Sequence, residues 1–163
     1  LSSPVKTGYK GETRNTPKRQ GRPGMKTIIV AVDGSHLSDK ALDRAILECK
    51  VHGAELLAVN VVESLSFLSL HPESYENAKD RLMREPLKIL AEAEKKARAA
   101  GVAVRAMAEP GRPADVISEI ARREKADEIV VGSLGKNAVD NLLLGSVSSR
   151  LVQTAPCSII VVR

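Results

Sequence analysis

Two glycine-bearing turns hold the residues most capable of chemistry. The first, Gly132-Ser133-Leu134-Gly135-Lys136-Asn137-Ala138, follows an apolar run, Glu128-Ile129-Val130-Val131, that reads as a strand. The second, Gly145-Ser146-Val147-Ser148, opens a segment to Thr154 that reads as a helix. Glycine at a strand end lets backbone N–H groups come close to a ligand. A helix N-terminus offers unpaired N–H groups and the positive end of a dipole, which suit phosphate. Ser146 and Ser148 add hydroxyls, and Lys136 adds a cation. Two such turns are able to close around a polyphosphate. The plainer reading of the same residues is a turn after a strand and a cap before a helix. Both readings stand on the glycines alone.

The elements that must position these turns alternate along the chain. Thr27 to Val32 is apolar on both faces, as in a central parallel strand, and Asp33-Gly34-Ser35 ends it in a turn. Ser38 is expected to cap the next helix, with Asp39 in its first turn, Leu42, Ala45, Ile46 and Cys49 on its buried face, and Gly53 at its end. Glu55 to Val62 is the second strand. Residues 63–85 have an intermittent pattern, and Pro86 either starts a helix or kinks a longer one. Beyond it Leu87, Leu90, Ala91 and Ala97 share a face up to Gly101. Val102 to Ala108 is expected as the third strand, and the charge of Arg105 marks it as an edge. A helix around Val116, Ile117, Ile120 and Ala121, a strand from Asp127 to Gly132, the helix to Thr154 and a strand from Cys157 complete the pattern.

This alternation predicts an α/β fold: an open, doubly wound, five-stranded parallel sheet with helices on both faces, linked by right-handed crossovers. Strands one, two, four and five read as inner, being apolar on both faces, and strand three as an edge. The order 3-2-1-4-5 fits best, and it puts the switch point, where such sheets bind ligands, between strands one and four. Asp33 and Gly132 stand at the carboxyl ends of those two strands. In this order the last strand, Ser158 to Arg163, also lies at a margin, and an apolar margin calls for a partner. A two-fold homodimer through that strand is expected.

Composition narrows the possibilities. Of 163 residues only Phe67, Tyr9 and Tyr75 are aromatic, so the core is aliphatic and the stacking platforms of a single-strand nucleic-acid binder are missing. The net charge of +5 belongs to residues 1–24, which hold six Lys and Arg against the one acid Glu12. That segment is expected to be a disordered basic extension or a remnant of expression, with Met25 opening the first strand of a single domain, 25–163. The balanced remainder has no global pull toward nucleic acid or membrane. Cys49 and Cys157 lack metal-ligand spacing, no apolar run reaches membrane length, and a cytoplasmic location is expected. His36, His52 and His71 are dispersed, with no metal or triad spacing. The chain has no Gly-x-x-x-x-Gly-Lys-Ser/Thr and no Gly-x-Gly-x-x-Gly after its first strand.

From Val30-Ala31-Val32-Asp33-Gly34-Ser35 to Ala155-Pro156-Cys157-Ser158-Ile159-Ile160-Val161-Val162, and above all in the spacing Gly132, two residues, Gly135, nine residues, Gly145-Ser146, the chain resembles the universal stress protein family in its ATP-binding branch. The resemblance implies a homodimer that binds ATP, or AMP or ADP, and acts in regulation or stress response. It carries adenine contacts onto the backbone of Ala31 and Val61, with Asp33 nearby. It carries phosphate and ribose contacts onto Gly132, Ser133, Leu134, Gly135, Lys136, Asn137, Ala138, Gly145, Ser146, Val147 and Ser148. Leu134 departs from the polar or basic residue frequent there, and Ala31 from a frequent proline. Asp33 either caps its turn or holds Mg2+ through water. No residue is evidently placed to activate water, so the expected role is a regulatory module with at most slow ATP hydrolysis. The rivals are a nucleotide-independent dimeric interaction protein and a nucleotide-processing enzyme.

Overall fold

The computed structural model describes residues 27–63, 75–136 and 143–163. The expectations for residues 1–24, for Met25 as a strand opening and for ligand contacts at Asn137 and Ala138 lie outside the described residues. Five strands and four helices follow one another: β1 (Thr27–Ala31), α1 (His36–His52), β2 (Glu55–Val62), α2 (Tyr75–Ala99), β3 (Val104–Pro110), α3 (Pro113–Glu124), β4 (Glu128–Gly132), α4 (Ser146–Thr154) and β5 (Ser158–Val162). The sheet is parallel throughout, in the order β3-β2-β1-β4-β5, as the alternating pattern predicts.

The sheet has an aliphatic core on each face. Ile28, Val30, Leu56 and Val130 meet Leu42, Ala45 and Ile46 of α1 and Leu90, Ala93 and Ala97 of α2. On the other face Ile29, Leu57, Val59 and Ile129 meet Ile117 and Ile120 of α3 and Leu151 of α4. Burying one such side chain contributes about 1.5–3 kcal/mol, whereas an exposed ion pair such as Arg150–Asp115 contributes about 0–1 kcal/mol. The core therefore sets where the strand ends stand. Ile29 lies opposite Ile129 and Val30 opposite Val130, so β1 and β4 emerge level with one another at the switch point.

Several local expectations are corrected. The N-cap of α1 is Ser35, whose hydroxyl accepts from Ser38 N–H at 3.1 Å; Ser38 itself is buried inside the first turn. Of the two readings of Pro86, the longer helix holds: it sits within α2, not at its start. The buried face of that helix runs through Met83, Pro86, Leu90, Ala93 and Ala97, so Leu87 and Ala91 face outward. β3 begins at Val104, because Val102 N–H is taken by Ala97 O in the cap of α2, where Gly101 adopts φ 78°. Arg105 lies on the edge strand as expected and reaches Glu55 and Glu124. β5 stands at the margin, as the order 3-2-1-4-5 requires although its two apolar faces alone read as inner, and it leaves Ile159, Ile160, Val161 and Val162 only half-buried.

Candidate functional site

The end of β1 is held by Asp33. Its Oδ1 accepts from Ser35 N–H at 2.9 Å, and its Oδ2 accepts from Lys136 N–H at 2.9 Å. One carboxylate thus ties the turn after β1 to the turn after β4. Asp33 N–H donates to Ser38 Oγ at 3.3 Å, which braces the turn from below. Burial pushes the Asp33 carboxyl up, but the hydrogen bonds from Ser35, Lys136 and Ser38 together outweigh it and hold it below the ordinary range.

The glycines follow from close approach. A Cβ on Gly132 would stand 2.9 Å from the carbonyl carbon of Leu37, so β4 passes against the first turn of α1 only as glycine. A Cβ on Gly135 would stand 2.9 Å from Asp33 Oδ2. Gly145 N–H donates to Ser133 O at 2.7 Å, and Ser133 N–H donates to Val162 O at 2.7 Å. The two glycine turns therefore touch, and β5 anchors the first of them.

Of the hydroxyls expected at the site, Ser148 is buried and donates to Ser133 O at 2.8 Å, while Ser146 is exposed. Gly145 caps α4 without a side chain. The first N–H groups of a helix have no partner inside it. Those of Ser146 and Val147 have no acceptor among the described residues. Of the three helix starts, only α1 has a side-chain cap, from Ser35; α3, which opens on Pro113 after Arg112, and α4, which opens after Gly145, have none, and at α4 the glycine leaves no side chain over the first N–H groups. Gly135 and Lys136 are exposed beside it, Leu134 and Val147 are half-buried, and Ala31 and Val61 are half-buried at the carboxyl ends of β1 and β2.

Two residues that the sequence reading did not single out contribute here. Asn60 is buried in β2, and its Nδ2 donates to Val32 O at 2.7 Å, fixing the end of β1 against β2. The signal was present: one amide stands in an otherwise aliphatic strand. Glu85 of α2 forms an ion pair with Lys136; it fell in the unpatterned stretch, where no spacing marked it. Beside this pair a groove of about 910 Å³ opens between α1 and α2, over Leu42, Ile89 and Ala93, with Arg84 and Lys88 at its mouth. Among the described residues no three His, Cys, Asp or Glu side chains gather as metal ligands.

The arrangement is a pair of abutting turns with free N–H groups at the mouth of a parallel sheet's switch point. A family model described as the universal stress protein family matches residues 24–163. The chain is similar to universal stress protein MJ0531 of Methanocaldococcus jannaschii, with 36% identity over 150 residues covering 91% of this chain and 88% of that one. It is 41% identical over 144 residues to a universal stress protein from the QAH/OAS sulfhydrylase 3′ region of Thermus aquaticus, covering 85% and 98%. Among solved structures it resembles a universal stress protein in complex with cAMP, with a TM-score of 0.64 and 28% identity, covering 86% of this chain and 98% of that one.

Proposed function

The chain belongs to the universal stress protein family, and on that premise we propose that it binds an adenine nucleotide, ATP foremost with AMP or ADP as alternatives, between β1 and β4. The observation that carries this reading is the uncapped start of α4, lashed to the turn after β4 by Gly145 N–H and Ser133 O. The likeness to a relative that holds cAMP supports the adenine nucleotide as the ligand class.

In this reading the N–H groups of Ser146 and Val147 receive phosphate oxygens, as helix N-termini do, with Gly132 to Ala138 closing the other side. The base lies along the backbone of Ala31 and Val61. Asp33 keeps the two turns in register, and any Mg2+ reaches it through water carried in with the phosphates. Hydrolysis is slow. Asp33, the carboxylate that joins the two turns, is held by two N–H donors and so is not poised as a general base. The role is that of a regulatory, stress-response module in the cytoplasm. No helix among the described residues is long and apolar enough to cross a membrane. The domain is taken as 25–163, with residues 1–24 as an extension.

A second feature bears on assembly. The margin strand β5 leaves apolar side chains half-buried, and Val152 of α4 is 58% exposed. Two copies meeting through Ser158 to Arg163 would pair the open backbone groups of both strands. The ligand is tested by heat-denaturing the purified protein and identifying the released small molecule by mass spectrometry. An adenine nucleotide in near-stoichiometric amount is expected. A protein that releases none, and that adenine nucleotides at millimolar concentration fail to stabilise against heat, would contradict the reading.

A further inference from the structure

Helix α2 grips the site from the side through one face. Glu85 and Ile89, four residues apart and so stacked on that face, reach the two turns that Asp33 joins. Ile89 packs on the turn after β1 so closely that a Cβ on Gly34 would stand 2.9 Å from its Cδ1. Glu85 pairs through Oε1 with Nζ of Lys136 on the turn after β4. The ammonium hydrogen bond first, then its charge, draws the Glu85 carboxyl below its ordinary range, and Lys88 adds to this.

We propose that Glu85 is a built-in stand-in for phosphate: it pairs with the Lys136 ammonium, and a nucleotide's phosphate competes for that ammonium and displaces it, releasing α2 from the turn. Lys136 sits one residue from Gly135, with its own N–H on Asp33, so its backbone stays fixed while its side chain changes partner. Both side chains are exposed, Lys136 by 50% and Glu85 by 66%. Such a pair is weakly held in water and exchanges readily for a more highly charged oxyanion. The freed Glu85 carboxylate then lines the α1–α2 groove beside Arg84 and Lys88, two of the cations there, neither of which has an acid bonded to it among the described residues. Nucleotide occupancy thereby changes the charge pattern of an outer groove. Because Glu85 competes only with charge, it sets the preference among ligands by their phosphates and leaves the base untouched.

This inference rests on the nucleotide reading above, and one experiment separates the two. Titration calorimetry of the full chain with ATP and with adenosine is run on the wild type, Glu85→Gln, Lys136→Met and the double variant. Glu85→Gln is expected to tighten ATP by about two- to fivefold, the range open to one exposed ion pair, and to leave adenosine unchanged. In the Lys136→Met background the Glu85 change is expected to have no effect. Equal ATP affinity in wild type and Glu85→Gln, or an effect that persists without Lys136, would overturn the stand-in while leaving nucleotide binding intact. A wild type that binds neither ligand would overturn both.

Discussion

Gly135 is glycine because Asp33 Oδ2 fills the space of its missing side chain, and that carboxylate is already engaged with two N–H donors. Substitution there therefore strikes the register of the two turns as well as the room for phosphate. A second carboxylate shows the opposite electrostatics. Glu128, at the start of β4, is buried, and its Oε1 has no hydrogen-bond partner. Burial pushes its carboxyl up, Glu48 pushes it further, and His52 and Arg44 pull it back. The neighbouring Cys49 thiol is pushed up to about 12 by burial and then by Glu128, Glu48 and Glu55, so it stays protonated. An acid whose folded value is raised holds its proton better in the folded state. Its contribution to stability is thus full below its unfolded value and declines as pH rises through the folded one. Glu128→Gln removes the charge that the fold resists. We expect it to raise stability by about 1 kcal/mol at pH 7, with the gain fading as the pH falls toward 4. Urea titrations at the two pH values check this; a gain of equal size at both would contradict it.

At the scale of elements, α4 is the informative helix. Its N-cap has φ −76°, open to any residue, and glycine there leaves the first N–H groups without an internal acceptor. Gly145→Asp supplies one. A carboxylate at the cap is favoured by the helix dipole but repels phosphate. The variant, whose Cβ stands 3.3 Å from Ser133 O and so asks for a small adjustment, is expected to unfold no earlier on heating. It should bind ATP at least about tenfold more weakly. Unchanged affinity by calorimetry would show that phosphate does not use this turn. The sheet order, the glycines and Asp33 were legible because they depend on local rules: both-face burial of parallel strands, and turn chemistry at their ends. Arg105 announced an edge for the same reason. What escaped is tertiary. Ser35 outranks Ser38 as the cap because Ser38 is drawn inward beneath Asp33. The buried face of α2 is set by the β2–β3 surface it meets, and Glu85 acquires its meaning only from Lys136, 51 residues away.

At the scale of the molecule, the half-buried margin β5 and the anchoring of Ser133 on Val162 would join the proposed dimer to the candidate site. Val161→Pro removes a ladder donor and introduces a ring into the strand proposed to lie at the two-fold axis. Light scattering at micromolar concentration is expected to report a dimer for the wild type and a monomer for this variant; a monomeric wild type would contradict the dimer. The central claim, that the abutting glycine turns receive a nucleotide's phosphates, is tested most directly by calorimetric titration of ATP into the wild type and Gly135→Val, with folding of the variant confirmed by its thermal transition. The account predicts an affinity lower by at least tenfold in the variant, about 1.4 kcal/mol, and equal affinities in the two proteins would contradict it.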